Sequence, residues 1–230
     1  MVSPMNAFNA AQSDLEKSNR SIVVIGSTGR TGRFVLNEGL RRGHSMTAFT
    51  RRPEGLVGVR GLKAIVQGDG RNLDDIRRAV AGQDAVISIV GTEGRGPTTV
   101  MSAVTTAELE AMREAGVRRL VTVSVSAIEG RHPWIVINLV RWILRKPYAD
   151  FARMERLIRS SGADWTIVRP PYLSNGPNTG RVRTQTGRKD LPNGPYRISR
   201  ADLAATLVDL AEDSEHVGEV LLVSERRKSG

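Results

Sequence analysis

The residues best suited to chemistry in this chain form a glycine-rich turn at 26–32, with the sequence GSTGRTG. The turn follows the apolar run 22–25 and leads into a helical pattern that begins near Phe34. A continuous apolar run predicts a buried parallel strand, and the helix after it would point unpaired N–H groups and a positive dipole end at the turn. Such a place binds a phosphate group, and a glycine-rich version suits the pyrophosphate of a dinucleotide.

Two arginines follow the next predicted strand and indicate which dinucleotide would bind. The strand covers 46–49, and Arg51 and Arg52 come shortly after it. A site for NAD carries an acid here that accepts a hydrogen bond from the ribose 2′-hydroxyl, whereas arginine suits the 2′-phosphate of NADP. Arg30, inside the glycine turn, could add to the same pocket. A solvated pair of surface arginines is the alternative, but the distance from the glycine turn favours NADP(H).

Further suitable residues stand where later strands end. Asp69, after a predicted strand at 64–66, could accept a hydrogen bond from an adenine amino group, or it belongs to an ordinary turn or helix N-cap. Gly91 and Thr92 follow a strand at 85–90, where the missing side chain of Gly91 would let a flat ring lie against the backbone. Both observations agree with a cofactor that crosses the strand ends.

Hydroxyl groups follow the next two predicted strands. Ser124 and Ser126 lie at the end of the apolar run 120–125, where the nicotinamide end of a cofactor would lie. Tyr172 follows the stiff sequence RPP at 169–171, which could hold its hydroxyl toward the same crevice. The alternative for the serines is that they end a strand and start a turn. The recurrence of suitable residues at several strand ends favours the cofactor interpretation.

The elements that must position these residues alternate along the chain. Apolar runs typical of buried strands are separated by helical patterns, which predicts an α/β fold: a Rossmann-type, doubly wound, mostly parallel sheet with helices on both faces. We expect a single NAD(P)-binding domain at 21–230 and a polar, mobile tail at 1–20. The predicted strands lie at 22–25, 46–49, 64–66, 85–90, 120–125, 165–168 and 220–223, and the predicted helices end near 42, 80, 115, 158 and 211.

Composition excludes several classes of site. The chain has no cysteine, which removes disulfides and thiolate chemistry, and its three histidines have no metal-ligand spacing, so we expect no metal. No apolar run reaches transmembrane length and residues 1–20 lack a signal-peptide core, so we expect a cytoplasmic protein. The net charge of +10 is spread along the chain, with 4% aromatic residues to stack on bases. We therefore expect a basic enzyme that attracts an anionic cofactor or substrate, and no nucleic-acid partner.

In its order of motifs the chain resembles the atypical short-chain dehydrogenase/reductases of the NAD(P)-binding, NmrA-like group, and within them the NADPH-dependent flavin reductases of the biliverdin reductase B type. The resemblance runs from about 22 to 173, and 198–204 is similar to the wider group. The residues that carry it are the glycine turn, Arg51, GD at 68–69, AGQDAV at 81–86, GT at 91–92, PTTVMS at 97–102, SA at 126–127, Asp150, RM at 153–154, SG at 161–162 and PP at 170–171.

The resemblance implies a Rossmann-type sheet that binds NADPH and transfers hydride to a flat conjugated acceptor such as a flavin or quinone. It assigns the pyrophosphate to the glycine turn, the 2′-phosphate to Arg51 and the adenosine to Asp69. It also makes Ser126 the active-site serine and places Met101 on the cofactor-facing side of its helix. The expected cofactor-binding residues are Gly26, Thr28, Gly29, Arg30, Thr31, Gly32, Arg51, Arg52, Asp69, Gly70, Gly91, Thr92, Met101 and Ser124.

The chain departs from these enzymes around the acceptor. Ser124 stands where the flavin reductases have cysteine, and Phe151 and Tyr172 stand where they have two histidines that line the substrate site. The Tyr-x-x-x-Lys pair of ordinary short-chain dehydrogenases is also missing, since the residue four positions after Tyr148 is Ala152. Without the lysine that lowers the tyrosine pKa, alcohol dehydrogenation or sugar epimerisation by that pair is disfavoured, whereas flavin reduction depends mainly on positioning.

We therefore expect an NADPH-dependent oxidoreductase in which Ser126, Tyr172 and Ser124 are the catalytic groups. Phe151, Trp134 and Tyr172 would line the site of a small-molecule acceptor. A non-catalytic redox sensor of NmrA type, which binds NADP(H) and regulates a partner protein, is the alternative. The missing histidines and the missing Tyr-Lys pair favour the sensor, while the retained serine and the PTTVMS segment favour the enzyme.

Two further segments, 133–146 and the surroundings of Glu155, combine charged residues with a helical pattern. The segment 133–146 is apolar with a basic end, but its polar face is too narrow for a typical helix at a membrane surface. We expect it to pack over the active site or against a second subunit, which leaves a monomer and a homodimer open. Glu155 lies among Arg153, Arg156 and Arg159 at helical spacing, and we expect a surface ion-pair cluster there rather than a catalytic acid.

Overall fold

The computed structural model describes residues 19–91, 99–125, 145–187 and 196–226. The strands are β1 Ser21–Ile25, β2 Ser45–Thr50, β3 Ala64–Gln67, β4 Ala85–Ser88, β5 Arg119–Val123, β6 Asp164–Arg169, β7 Tyr172–Ser174, β8 Val182–Thr186, β9 Arg197–Ser199 and β10 Glu219–Glu225. The α-helices are α1 Arg30–Arg41, α2 Leu73–Val80, α3 Val100–Ala115, α4 Arg145–Arg159 and α5 Arg200–Glu212, and a short 3-10 helix covers Pro53–Leu56.

Eight of the strands form one sheet, and its order confirms the predicted Rossmann-type architecture. The order is β3-β2-β1-β4-β5-β6-β10-β8. Neighbouring strands are parallel except for β10 and β8, which pair antiparallel at the edge. Separately, β7 and β9 form a short parallel pair. Because the direction of strand succession reverses between β1 and β4, a crevice opens beyond the carboxyl ends of these strands.

The sheet separates two hydrophobic layers, and β1 shows how. Ile22 and Val24 belong to the layer that α1 and α5 cover, whereas Val23 and Ile25 belong to the layer under α2, α3 and α4. Successive side chains of a strand point to opposite faces, so a strand buried on both faces needs a continuous apolar run. This requirement explains why the sequence pattern located β1 correctly.

The helices α1 and α5 lie side by side and run in the same direction. Just after α1, Arg42 donates hydrogen bonds to Asp209 and, at 3.4 Å, to Glu212, both near the end of α5. Its Nη2 also donates to the carbonyl oxygen of Ala205 at 3.3 Å. Two adjacent helices of similar length that meet at their C-terminal ends also begin close together. Their N-terminal ends therefore lie at the carboxyl edge of the sheet.

Three short strands have no counterpart among the sequence predictions. β7, β8 and β9 have three to five residues each, and β8 has the polar sequence VRTQT with no fully buried residue. An edge strand of this kind lacks the apolar run that marks a central strand. Within the described part of the chain, no helix is long and apolar enough to cross a membrane.

Candidate cofactor and acceptor site

A cleft of about 350 Å³ lies where the carboxyl ends of β1, β2, β3 and β4 converge. Four successive strands contribute the residues just beyond their ends, as expected for the crevice of a doubly wound sheet. The lining residues are Ile25, Gly26, Thr28, Gly29, Phe49, Thr50, Arg51, Arg52, Asp69, Gly70, Arg71, Ile89, Val90, Gly91, Val100 and Val104.

The glycine turn needs its glycines for steric reasons. Gly26 has φ +84°, and a Cβ there would stand 2.5 Å from the carbonyl oxygen of Ile89. A Cβ on Gly32 would stand 2.4 Å from the carbonyl oxygen of Gly26. The turn is therefore packed against both the end of β4 and the first turn of α1, with no space for a side chain at either position.

The beginning of α1 is open toward the cleft. Its N-cap residue is Gly29, which has no side chain to accept from the helix, and the first turn contains no acidic residue. The N–H groups of Arg30, Thr31 and Gly32 precede the first intrahelical hydrogen bond, which Arg33 donates to Gly29 at 3.2 Å. An anion at this point would receive these N–H groups and the positive end of the helix dipole.

Hydroxyl groups of the turn have a structural role that the sequence did not reveal. Ser27 is fully buried, and its Oγ donates to the carbonyl oxygen of Phe49 at 2.8 Å. The hydroxyls of Thr28 and Thr50 are hydrogen-bonded at 3.0 Å. These contacts hold the turn against the end of β2.

The cleft carries positive charge at the end of β2. Arg51 and Arg52 are both exposed and both line it. Across the cleft, the Arg71 guanidinium forms an ion pair with Asp69 at 2.5 Å, and this contact lowers the pKa of Asp69 to about 2, with a smaller contribution from Arg51. Asp69 is therefore ionised at neutral pH and can accept hydrogen bonds. Arg71 was not among the predicted site residues.

Apolar side chains of α3 lie next to Asp69. A Cβ on Gly70 would stand 3.1 Å from a methyl group of Val104, so the Gly70 backbone is packed closely against α3. The α3 residues that line the cleft are Val100 and Val104. Met101, expected to face the cofactor, is instead fully buried in the layer beneath the sheet. The reason is its position on the helix: it lies one residue away from Val100 and about 100° around the axis.

Some of the residues predicted to surround the acceptor belong to the described part of the chain. Ser124 follows β5, is 2% exposed, and its Oγ has no hydrogen-bond partner among the described residues. Phe151 on α4 is half-buried and packs against the core, while Tyr172 on β7 is 73% exposed. The predicted site residues Thr92, Ser126 and Trp134 lie outside the described residues.

Asp150 connects the helices on this side of the sheet. Its carboxylate is buried and accepts from the backbone N–H of Met101 at 3.0 Å and of Ser102 at 3.2 Å. A carboxylate on α4 thus caps the beginning of α3 and stabilises the positive end of that helix. The contact ties the two helices together at the level of the cleft.

Glu155 differs from its sequence-based interpretation. It is 4% exposed rather than part of a surface cluster, and it forms two hydrogen bonds, at 2.9 and 2.6 Å, with the fully buried Arg169 at the end of β6. Arg159 approaches from the outside at 3.4 Å. The helical spacing of the arginines was correct, but the main partner comes from a distant strand. This buried pair anchors α4 to the strand that leads to Tyr172.

A second buried acid escaped the sequence analysis. Glu108 on α3 is 1% exposed and accepts a hydrogen bond from the Ser88 Oγ at 2.7 Å, at the end of β4. Its other oxygen has no partner among the described residues. Burial raises the pKa of Glu108 to about 7, and the bond from Ser88 opposes that change. Within the described ranges, no group of three histidine or acidic residues could hold a metal ion.

Comparison with known proteins agrees with this geometry. A family model described as NAD(P)H-binding matches residues 26–214. The chain is 30% identical over 194 residues to the uncharacterized sugar epimerase YhfK of Bacillus subtilis, covering 81% of this chain and 86% of that protein. It is 31% identical over 212 residues to a (4-alkanoyl-5-oxo-2,5-dihydrofuran-3-yl)methyl phosphate reductase of Streptomyces griseus, covering 88% of this chain and 67% of that protein.

A solved structure supports the fold. A short-chain dehydrogenase/reductase of Veillonella parvula in complex with NADP has a TM-score of 0.75 at 16% identity, over 90% of this chain and 94% of that one. The family match begins at the glycine turn, directly after β1, extends through α5, and includes β2, β3 and β4, whose ends line the cleft. The chain belongs to the NAD(P)H-binding family and has a Rossmann-type fold.

Proposed function

We propose that the protein is an NADPH-dependent reductase that transfers hydride to a flat conjugated acceptor of the flavin or quinone class. The observation that carries the cofactor choice is the pair Arg51 and Arg52 in the cleft beyond β2. An NAD-preferring site has a carboxylate at this strand end, and two guanidiniums suit a 2′-phosphate instead.

The lining residues suggest how NADPH would bind. The open beginning of α1 would hold the pyrophosphate and Arg51 with Arg52 the 2′-phosphate. Asp69, with the apolar side chains of Val100 and Val104, would hold the adenosine. The nicotinamide would then extend past Gly91 toward Ser124. Among the described residues, no atom lies within 4 Å of the position of a Cβ on Gly91, which leaves space there for a flat ring.

The acid–base groups that the chain offers for catalysis favour a conjugated acceptor. NADPH supplies a hydride when bound, and the acceptor also needs a proton. Tyr148 is followed four residues later by Ala152, so the Tyr-x-x-x-Lys spacing that lowers a catalytic tyrosine pKa is missing from the sequence. Reduction of a conjugated ring needs less acid–base help than reduction of an isolated carbonyl, because the ring itself delocalises the added charge. Ser124, Ser126 and Tyr172 would orient the acceptor and carry the proton.

The names of the two relatives include one reductase and one epimerase. The Streptomyces griseus relative is named a reductase, and its name describes an oxo-dihydrofuran ring with an alkanoyl substituent and a methyl phosphate. The Bacillus subtilis relative is named a sugar epimerase without further characterisation. A conjugated acceptor agrees with the first name and with the missing Tyr-Lys pair.

The test is NADPH consumption by the full chain with a panel of FMN, riboflavin and quinones, and with NADH as the comparison cofactor. We expect turnover with NADPH on at least one conjugated acceptor and a lower kcat/KM with NADH. Tight NADPH binding without turnover on any acceptor would contradict the proposal. That result would favour an NADP(H)-dependent regulator, to which Phe151 and Tyr172 in place of histidines also point.

A further inference from the structure

Arg200 is a charged residue that cofactor binding as proposed above does not explain. It is the first residue of α5, is 7% exposed, and its Nη1 donates to the Asn175 Oδ1 at 2.6 Å. Its Nε is buried without a hydrogen-bond partner among the described residues. None of the ion pairs within the described ranges includes it. A buried guanidinium whose charge meets no carboxylate is unfavourable unless an anion joins it.

The packing of the helices brings a second arginine to the same place. Arg30 is the first residue of α1, as Arg200 is of α5. The two helices run in parallel and are joined at their C-terminal ends by Arg42, so their N-terminal ends lie together. Burial lowers the pKa of Arg200, and the nearby Arg30 guanidinium lowers it further. Two guanidiniums and two helix N-termini thus lie near one another at the carboxyl edge of the sheet.

The acid nearest to this point in the sequence is engaged elsewhere. Asp202, in the first turn of α5, accepts from the backbone N–H of Thr179 at 2.7 Å and of Gly180 at 3.0 Å, and from the Ser199 hydroxyl at 2.8 Å. These bonds direct its carboxylate toward the segment before β8. The positive charge of the two arginines therefore remains available to a ligand.

The order of strands in the sheet shows at which end of the cleft Arg200 lies. Arg51 lies beyond β2, on one side of the glycine turn, whereas α5 packs against β4, β5 and β9 on the other side. A cofactor with its 2′-phosphate at Arg51 directs its nicotinamide toward β4 and β5. Arg200 thus lies at the acceptor end of the crevice.

We propose that Arg30 and Arg200 form an anion subsite that binds a phosphate or carboxylate substituent of the acceptor. The inference rests on the proposed reductase function and narrows its substrate class to conjugated acceptors with an anionic group. The cofactor pyrophosphate is also an anion that two arginines could bind. The experiment below distinguishes binding of the pyrophosphate from binding of the acceptor's anionic group.

FMN and riboflavin are a suitable pair, because they share one ring system and differ in a phosphate. The full chain, saturated with NADP⁺, is titrated with each flavin and binding is followed by flavin fluorescence, so turnover is not required. We expect FMN to bind at least tenfold more tightly than riboflavin, and Arg200→Gln to abolish most of that difference while leaving NADPH affinity within twofold. Arg30→Gln, at an exposed position, should reduce the difference in the same direction.

Two further variants control for the loss of a positive charge in general and for poor folding of Arg200→Gln. Arg197→Gln removes an equal charge three residues before α5 begins, from a side chain that is 62% exposed and paired with Glu225. It should leave the flavin preference unchanged. Arg200→Lys keeps the charge and should retain part of the preference if Arg200→Gln folds poorly.

Three outcomes would overturn the subsite: equal binding of FMN and riboflavin by the unaltered chain, no binding of either flavin, or a loss of NADPH affinity in Arg200→Gln with the flavin ratio unchanged. The last of these outcomes would show that Arg30 and Arg200 bind the pyrophosphate of the cofactor instead of the acceptor. If FMN binds through Arg200 but no acceptor is reduced, the reductase proposal fails and the subsite stands.

Discussion

The backbone of Ile89 lies so close to Gly26 that a Cβ on Gly26 would stand 2.5 Å from the Ile89 carbonyl oxygen. This contact joins the glycine turn to the chain just beyond β4, across the two strands between which the crevice opens. The cofactor site therefore depends on a close approach of two backbones, which a side chain of any size would prevent.

Gly26→Ala should accordingly lower the free energy of unfolding by more than the conformational penalty that alanine has at a positive φ. Gly43 offers a matched control, since it has φ +87° and no atom within 4 Å of a Cβ position. We expect Gly43→Ala to lower the free energy of unfolding by about 1 kcal/mol, and Gly26→Ala by about 1–3 kcal/mol more because of the clash. Urea unfolding measures both, and NADPH affinity should fall in Gly26→Ala alone. Equal effects of the two variants would contradict the contact.

Arg51→Ala should separate the two nicotinamide cofactors. We expect it to weaken NADPH binding by about tenfold or more, in line with about 1.5–3 kcal/mol for a hydrogen bond to a charged group, and to leave NADH binding nearly unchanged because NADH has no 2′-phosphate. Calorimetric titration with both cofactors measures this. Arg41→Ala is the control, because its side chain is 68% exposed at the end of α1. A similar loss for both cofactors would show that Arg51 does not contact the 2′-phosphate.

Glu108 should make stability depend on pH. Its pKa rises from 4.5 to about 7 on folding, so the unfolded chain releases this proton at lower pH than the folded chain does. The protein should thus lose stability as the pH rises from 4.5 toward 7, by up to about 3 kcal/mol at 1.36 kcal/mol per pKa unit.

Glu108→Gln should flatten this dependence, since glutamine does not titrate. Unfolding by urea at several pH values between 4.5 and 8 measures the slope. Glu110→Gln, on the same helix with a side chain that is 42% exposed, should keep the slope of the unaltered chain. An unchanged slope in Glu108→Gln would show that another group titrates.

Glu155→Ala should destabilise the protein strongly, because it removes the carboxylate that accepts two hydrogen bonds from the buried Arg169 guanidinium. Removal of one partner from a buried ion pair costs about 3–5 kcal/mol. Arg159→Ala removes the outer partner, whose side chain is 44% exposed, and should cost about 0–1 kcal/mol. Chemical unfolding of both variants provides the comparison. A loss below about 1 kcal/mol in Glu155→Ala would place the pair at the surface, as the sequence had suggested.

The central strands and the glycine turn could be predicted because their signals are local. The run 22–25 is apolar at every position since β1 is buried on both faces, and GSTGRTG has the spacing that a close strand-to-helix turn requires. By contrast, β8 is a half-exposed edge strand whose sequence carries no apolar run, and it was missed. Met101 shows a similar limit: the helix was correct, but the helical pattern alone did not settle which of its side chains faced the cleft.

The sequence by itself determined the alternation of strands and helices, the anion-binding turn, and the arginines beyond β2, because each depends on residues within one strand-turn-helix unit. Only the tertiary structure decided that Glu155 pairs with Arg169 and that Arg200 comes to lie beside Arg30. Those partners are 14 and 170 residues apart in the chain. Their meeting depends on the order of strands in the sheet and on which helices share a face, and these follow from the packing of the whole core rather than from any local pattern.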